Sequence, residues 1–151
     1  MTDTSSQFST IVIGMDGSDG AQAALRWVVN LAESAGASVH AVHVLTFSKE
    51  FMRDISFETM TNWRRDLELQ LKKTWTTALT ESAVAHRCTL VEDESPALGL
   101  IHVAERDAAD LIVVGATGRT KLGGKVLGST SYTLTHNAPC AVAVVPPAHA
   151  H

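Results

Sequence analysis

Five short apolar runs, rich in β-branched residues, alternate along the chain with longer stretches that mix apolar and polar positions. A weaker run covers residues 86–91, and four clear ones cover residues 9–14, 38–45, 111–115 and 140–145. The last two are almost continuously apolar, which is typical of strands covered on both faces of a sheet. Over residues 21–35 and 57–85, apolar residues recur every three or four positions and predict helices. Two further helices are predicted over residues 96–108 and 129–137.

Local signals mark the ends of several predicted helices. Ser18 or Asp19 is expected to cap the start of the first helix, and Gly36 is expected to end it. Pro96 is typical of the first turn of a helix. Residues 46–56 are the only long connection in this pattern, and we expect a loop or lid there.

The helix predicted over residues 57–85 carries one stripe of large apolar side chains. The stripe consists of Met60, Trp63, Leu67, Leu71, Trp75 and Leu79. We expect it to face the core. A contact within a dimer or a lid is the alternative for Trp63 and Trp75.

Strict alternation of strands and helices predicts an α/β fold, with one open five-stranded parallel sheet and helices on both of its faces. The 151 residues correspond to a single domain. Ligands of such sheets bind at the carboxyl ends of the strands, where the strand order reverses. The residues that follow the first and fourth strands are therefore the first candidates for a functional site.

Charge and composition narrow the class of protein further. The formal net charge is −4 at pH 7, which argues against nucleic acid or an anionic membrane as the main partner. No apolar run approaches the roughly 18 residues that a membrane-spanning helix needs, and residues 1–10 lack the features of a signal peptide. We therefore expect a cytoplasmic protein in which Cys88 and Cys140 are reduced thiols, with a disulfide or redox switch as the alternative. The expected organisation is a disordered N-terminus over residues 1–8, a domain over residues 9–147 and a flexible tail over residues 148–151.

A carboxylate directly follows the first strand. Asp16 precedes the first helix, so it either caps that helix or accepts hydrogen bonds from a hydroxyl or amino group of a ligand. The dinucleotide-binding pattern Gly-x-Gly-x-x-Gly is not matched, because Met15 stands where a glycine would have to pair with Gly17 and Gly20.

A segment rich in glycine and basic residues follows the fourth strand. Half of the chain's ten glycines lie within residues 115–130, and glycines let backbone amides approach a ligand closely. Residues 116–127 also carry Arg119, Lys121 and Lys125 without an acidic residue. This combination predicts a phosphate site, and a flexible connection between strand and helix is the alternative.

The helix predicted after this segment favours the same chemistry. Gly128, Ser129 and Thr130 open it, and the free N–H groups and dipole of a helix N-terminus attract an anion. The segment is not a Walker A loop, which would need glycine in place of Arg119 and serine or threonine in place of Val126.

The spacing Gly115-x2-Gly118-x9-Gly128-Ser129 resembles the nucleotide-binding signature of the universal stress protein family. The resemblance extends over almost the whole chain, from the first strand to the last. It implies a Rossmann-like sheet, of the adenine nucleotide alpha hydrolase-like type, with strand order 3-2-1-4-5. It also implies a homodimer formed partly by the last strand, Ala141–Val145.

The resemblance further implies how individual residues would bind ATP. Asp16 would hold adenine or ribose, and the backbone of Val44 would contact adenine. The glycines after the fourth strand would let amides reach the ribose and the phosphates. The residues that open the next helix would bind the β- and γ-phosphates, with Mg or Mn between the phosphates. The predicted nucleotide-binding residues are Gly14, Met15, Asp16, Val44, Val114, Gly115, Gly118, Arg119, Gly128, Ser129 and Thr130.

Two positions depart from the pattern of the family. Met15 stands just before the aspartate, where many members have proline or valine, and is expected to reshape the adenine pocket. Glu94 stands where many members have a glycine, and a carboxylate near the nucleotide would repel phosphate. A solvated turn formed with Glu92 and Asp93 is the alternative for Glu94.

These features predict an ATP-binding stress-response regulator that acts as a dimer on an unidentified protein partner, rather than a catalyst. Ser129 has no evident base nearby in sequence, and the seven histidines show no metal-ligand spacing. The alternatives are a dimeric scaffold of the same fold that binds no nucleotide, a slow ATPase and a cyclic AMP binder. Neither nucleic acid nor a membrane is an expected partner.

Overall fold

The computed structural model describes residues 8–116 and 128–147 of the chain, and these form one five-stranded sheet with helices on both faces. Its strands are β1 (Thr10–Gly14), β2 (Ser38–Leu45), β3 (His86–Glu92), β4 (Leu111–Gly115) and β5 (Ala141–Val145). All neighbouring strands are parallel, and their order is β3-β2-β1-β4-β5. The predicted fold class and strand order are confirmed.

Helices connect the successive strands. They are α1 (Asp19–Ala35), α2 (Lys49–Asp54), α3 (Phe57–Leu69), α4 (Thr77–Thr80), α5 (Pro96–Asp107) and α6 (Ser129–Asn137). The caps follow the sequence signals: the Ser18 hydroxyl accepts the N–H of Ala21 in the first turn of α1, and Gly36 ends that helix with a left-handed φ of 68°. Pro96 opens α5 directly after its capping residue, Ser95.

The prediction of one continuous helix over residues 57–85 is wrong. A π-helical turn, Gln70–Trp75, separates α3 from the short α4. The buried Thr76 hydroxyl donates to the carbonyl of Leu71, five residues earlier, at 2.6 Å. A side-chain donor at this point competes with the regular helical hydrogen bonds, and the spacing of apolar residues does not reveal a shift of one residue.

The loop predicted over residues 46–56 contains a helix, and the expectation of a loop throughout is wrong. α2 begins after Ser48, whose hydroxyl accepts the N–H of Phe51 at 3.1 Å. All residues of α2 are exposed, including Phe51 and Met52. A short helix without a buried face leaves no apolar periodicity, so only its capping serine indicates it.

Two apolar layers enclose the sheet. α1 and the segment from α3 to α4 cover one face, where Leu25, Leu71 and Leu79 are fully buried. α5 and α6 cover the other face, where Leu100 and Leu134 are buried. Each such leucine stabilises the fold by about 1.5–3 kcal/mol through burial of its apolar surface.

The two tryptophans of the long helical segment have different surroundings. Trp75 is 8% exposed and belongs to the first core layer, as predicted. Trp63 is 38% exposed, so the prediction that it faces the core is wrong. Its ring packs edge-on against Phe47 and Phe51, at centroid distances of 5.4 and 5.6 Å, because α2 brings aromatic side chains to the rim of the core.

The expected disordered and flexible ends of the chain lie almost entirely outside the described residues, which begin at Phe8 and end at residue 147. Phe8 packs against the first core layer. In the described part of the chain, no helix has the length and apolar character needed to cross a membrane.

Both cysteines are free and half-buried. The Sγ of Cys88 on β3 lies 3.5 Å from the Thr76 hydroxyl. Burial raises the pKa of the Cys140 thiol, next to β5, above its ordinary value. A raised pKa keeps that thiol protonated and therefore weakly nucleophilic at neutral pH.

Candidate functional site

A cavity of about 530 Å³ opens at the carboxyl ends of β1 and β4. These two strands are neighbours, and the connections that leave them run to opposite sides of the sheet, which makes this the expected crevice for a ligand. All predicted site residues except Gly118 and Arg119 line the cavity: Gly14, Met15, Asp16, Val44, Val114, Gly115, Gly128, Ser129 and Thr130. Gly118 and Arg119 lie outside the described residues.

The structure adds lining residues that sequence reasoning missed. They are Ser18, Ala21, Val42, His43, Pro96, Leu100, Ala116 and Ser131. Three of them, His43, Ala116 and Ser131, adjoin a predicted residue in the chain, and that adjacency is the signal that would have found them. Ser18 and Val42 lie two positions from a predicted residue. The remaining three reach the cavity from helices without such a signal: Ala21 from α1, and Pro96 and Leu100 from α5.

Ser18 caps α1, so the interpretation of Asp16 as the cap of this helix is wrong. The Ser18 hydroxyl accepts the N–H of Ala21 at 3.1 Å. The Oδ1 atom of Asp16 accepts the N–H of Ser18 at 3.0 Å, which holds the carboxylate in a tight turn at the cavity wall. Asp16 is half-buried and is not the helix cap. Its carboxylate is therefore placed to accept hydrogen bonds from a ligand hydroxyl or amino group.

The backbone around Met15 is anchored to β2 on both sides. Its N–H donates to the carbonyl of Val42 at 2.8 Å, and its carbonyl accepts from Nδ1 of His43 at 2.7 Å. Because a carbonyl can only accept, this contact places the proton of His43 on Nδ1. The Met15 side chain is 2% exposed and packs into the first core layer. Met15 also lines the cavity.

The floor of the cavity is apolar and closely packed. Val42, Val44, Leu100 and Val114 line it. A Cβ atom at Gly99 would lie 2.6 Å from both γ-carbons of Val44, so this glycine lets α5 press the Val44 side chain against the sheet. An apolar surface with polar groups beside it suits the ring of a heterocyclic ligand.

At the end of β4, close packing explains the glycine. A Cβ atom at Gly115 would lie 2.7 Å from both the carbonyl carbon and oxygen of Gly20. Gly115 therefore permits contact between β4 and the start of α1. Its own carbonyl accepts the hydroxyl of the buried Ser131 at 3.3 Å, which ties α6 to the same point.

The N-terminus of α6 forms another wall of the cavity. The N–H of Gly128 donates to the carbonyl of Ala116 at 3.3 Å, so the two ends of the stretch 117–127 meet at the rim. Ser129 and Thr130 line the cavity from the first turn of α6. The first N–H groups of a helix have no partner within it and carry partial positive charge, which favours an anionic group.

Glu94 is exposed and does not belong to the cavity lining in the described part of the chain. It follows Asp93, whose carboxylate pairs with Nδ1 of His102 at 2.6 Å. The hydrogen bond from His102 lowers the pKa of Asp93, and the same pair raises the pKa of His102. Glu92 ends β3, Asp93 is held to α5 through His102, and Glu94 is exposed beside them. Glu94 therefore agrees with the alternative interpretation, a solvated segment outside the cavity, although Glu92 belongs to the strand.

Among the described residues, no three His, Cys, Asp or Glu side chains lie close enough together to hold a metal ion. The titratable groups of the described cavity lining are Asp16 and His43. Both belong to the side of the cavity formed by β1 and β2, whereas Ser129 and Thr130 belong to α6.

Comparison with known proteins places these features in a family. Residues 7–146 match the model of the universal stress protein family. The chain is 31% identical over 140 residues to a universal stress protein of Methanocaldococcus jannaschii, covering 91% of this chain and 82% of the relative. It is also 31% identical over 138 residues to one from Thermus aquaticus, covering 91% and 98%.

Solved structures have the same fold. The universal stress protein UspA from Lactobacillus plantarum aligns with a TM-score of 0.74 and 27% identity, over 91% of this chain and 97% of that one. A universal stress protein solved in complex with cAMP aligns with a TM-score of 0.70 and 21% identity, over 93% and 98%. One from Archaeoglobus fulgidus, solved in complex with dAMP, aligns with a TM-score of 0.64 and 19% identity, over 92% and 97%. The chain described here belongs to the universal stress protein family.

Proposed function

We propose that this protein is a regulator that binds ATP in the cavity between β1 and β4. One observation carries the proposal: the cavity combines an apolar floor and the Asp16 carboxylate on one side with the N-terminus of α6 on the other. A nucleotide carries its groups in the matching order, with the base and ribose at one end and the phosphates at the other. The neighbours solved with cAMP and with dAMP support an adenine nucleotide as the ligand.

The nucleoside end of ATP lies on the floor formed by Val42, Val44 and Val114. The backbone of Val44 reads the adenine edge, and Asp16 accepts hydrogen bonds from the ribose hydroxyls or the adenine amino group. The volume of about 530 Å³ falls in the range of roughly 300–1,000 Å³ that is usual for small-molecule sites.

The phosphates lie against the first turn of α6. The amides of Gly128, Ser129 and Thr130 bind the β- and γ-phosphates. Gly118 and Arg119, which lie outside the described residues, complete this phosphate site. A Mg or Mn ion fits this end only as a partner of the phosphates, because the described lining offers hydroxyl oxygens there and no carboxylate. When bound, such an ion neutralises phosphate charge.

Binding without turnover is the proposed mode of action. The titratable groups of the described lining, Asp16 and His43, lie at the nucleoside side, and His43 is already engaged with the Met15 carbonyl through Nδ1. A general base for attack by water on the γ-phosphate would be needed at the other end. The bound nucleotide therefore serves as a signal for an unidentified protein partner.

We further propose a cytoplasmic homodimer that associates through β5. β5 pairs with β4 and forms one edge of the described sheet, and its residues are exposed or half-buried. An apolar edge strand invites pairing with a second chain. Sedimentation velocity at micromolar concentration is expected to show a dimer that Val144→Asp dissociates, and a monomeric wild-type protein contradicts this part of the proposal.

Calorimetric titration of ATP into nucleotide-free protein tests the function. Asp16→Asn keeps the hydrogen bond to the Ser18 amide but removes the charge, and we expect ATP affinity to fall about tenfold, equivalent to about 1.4 kcal/mol. Asp19→Asn is the matched control, because Asp19 is an exposed carboxylate in the first turn of α1 and does not line the cavity. Absence of binding at millimolar ATP, or equal losses in both variants, would falsify the proposal.

A further inference from the structure

The π-helical turn before α4 has a specific consequence for the side chain at its end. An α-helix rotates by about 100° for each residue, so one extra residue in a turn redirects every side chain that follows. Such turns are rare and are frequently found at functional sites. Here the turn Gln70–Trp75 ends on a large aromatic residue, Trp75.

The indole of Trp75 lies directly behind the turn that carries Asp16. A Cβ atom at Gly17 would lie 2.8 Å from both Cε2 and Cζ2 of the indole, so the backbone of Gly17 rests on the ring. Gly17 has a φ of 79°, a left-handed conformation that glycine adopts readily. A larger residue at position 17 would meet both the ring and this backbone strain.

Two further contacts hold Trp75 in this position, one through its ring and one through its backbone. Its ring packs edge-on against the imidazole of His43, with centroids 5.2 Å apart and planes at 74°. The carbonyl of Trp75 accepts from Nε2 of Gln22 on α1 at 2.8 Å. Trp75 thus contacts the turn after β1, the end of β2 and helix α1 at once.

Trp75 touches the site at two points, His43 and the turn that carries Asp16. His43 lines the cavity and holds the carbonyl of Met15, and Gly17 directly follows Asp16. The indole therefore packs against the back of the Asp16–Gly17 turn and supports it. A binding carboxylate needs a supporting residue of this kind to hold its geometry.

We propose that Trp75 is a positioning residue for the nucleotide site, aimed by the π-helical turn at the backbone that carries Asp16. The inference rests on the proposed function, because the ligand that Asp16 serves is ATP. Trp75 acts through the turn and does not itself line the cavity in the described part of the chain.

Substitution of Trp75 tests this role when it is compared with a matched loss of core packing. Trp75→Leu is expected to weaken ATP binding by about tenfold or more, because the turn loses its support. Leu79→Ala is the control, since Leu79 is fully buried in the same core layer on α4. We expect it to lower the urea midpoint at least as much while ATP affinity stays within about twofold. Trp75→Phe, which restores an aromatic ring, is expected to recover most of the affinity.

Hydrogen exchange in the absence of nucleotide separates this inference from the proposed function. The amide of Ser18 donates to Asp16 Oδ1, and it is expected to exchange faster in Trp75→Leu than in wild type. The amide of Leu98, which donates to the Ser95 hydroxyl at the start of α5, is the reference and is expected to stay unchanged.

The outcomes are distinct. If wild-type protein takes up no ATP, the proposed function fails, and faster exchange at Ser18 alone still supports the positioning role. If Ser18 exchanges equally in wild type and Trp75→Leu, or if Trp75→Leu and Leu79→Ala lose ATP affinity equally, the role of Trp75 is overturned.

Discussion

At the scale of single residues, Gly115 marks the closest approach between the sheet and α1. A Cβ atom there would lie 2.7 Å from two backbone atoms of Gly20, and backbone atoms cannot yield as the end of a side chain can. The last residue of β4 must therefore be a glycine for reasons of space. This constraint exists without any ligand, although the same glycine lines the cavity.

Gly115→Ala is expected to lower the free energy of unfolding by about 2 kcal/mol, because the added methyl group forces β4 away from α1. Gly128→Ala is the control at the other cavity wall. A Cβ atom at Gly128 would be 3.6 Å from the carbonyl oxygen of Ala116, and its φ of −63° suits alanine. Urea unfolding of both variants measures the difference, and equal stabilities would contradict the packing argument.

Asp16 and Ser18 show what single residues reveal before a structure is known. An aspartate and a serine ahead of a helix are both good caps, so their order alone does not assign the role. In the structure Ser18 is the cap, and the Asp16 carboxylate lies at the cavity wall. Trp63 shows the reverse case, since its place in an apolar stripe predicted burial and the ring lies at the rim.

At the scale of elements, a polar network joins β2, β3 and α5 at the end of the sheet that lies away from the cavity. Nδ1 of His40 donates to Asp107 at 2.6 Å, and its Nε2 lies 2.6 Å from the Thr89 hydroxyl. Arg87 pairs with the same Asp107 carboxylate at 2.9 Å, and Arg106 lies 3.8 Å from it. These bonds satisfy a histidine that is only 2% exposed.

Burial lowers the pKa of His40 below its ordinary value, against the opposing effect of the hydrogen bond to Asp107. Burial acts to raise the pKa of Asp107, but the hydrogen bonds from His40 and Arg87 outweigh it and hold that pKa below the usual range. Unfolding therefore lets His40 take up a proton below its ordinary pKa of 6.5. The stability that neutral His40 contributes is lost as the pH falls through that value.

The pH dependence of two histidine variants tests this assignment. The loss of stability caused by His40→Gln is expected to be larger at pH 7.5 than at pH 5.5. The sign is reversed for His102→Gln, because Asp93 raises the pKa of His102 and its contribution is present at low pH and lost as the pH rises. Urea midpoints at the two pH values measure both effects, and a difference of the same sign in both variants would sink the argument.

The regular elements were predictable and the irregular ones were not. The strands are apolar, β-branched runs, and α1 and α5 have an apolar face of regular period, which determines where they lie. α2 buries no residue, and the π-helical turn depends on the Thr76 hydroxyl and on three-dimensional packing around Trp75. Neither α2 nor the π-helical turn leaves a periodic signal in the sequence, although the π-helical turn supports the site.

At the scale of the whole molecule, the fold brings distant segments to one cavity. The ends of β1, β2 and β4 and the starts of α1, α5 and α6 meet there, and alternation of strands and helices is enough to predict that meeting place. The supporting residues were not predictable, because Gly99 and Trp75 act through packing that joins elements far apart in the chain.

A second hollow, of about 360 Å³, lies at the opposite edge of the sheet. It is lined by Thr10, Ser38, Val39, His40, Ala85, His86, Arg87 and Asp107. Its polar groups are largely engaged with one another in the network around Asp107. Amides beside this second hollow therefore serve as a reference, because ATP bound in the cavity between β1 and β4 is expected to leave them unchanged.

Titration of ¹⁵N-labelled protein with magnesium ATP, followed by amide chemical shifts, tests the central claim most directly. We expect the amides of Val44, Ser129 and Thr130 to shift and saturate together, while those of Ser38 and Arg87 at the opposite edge stay in place. Shifts confined to Ser38 and Arg87, or no shifts at millimolar ATP, would contradict the account of the cavity as a nucleotide site.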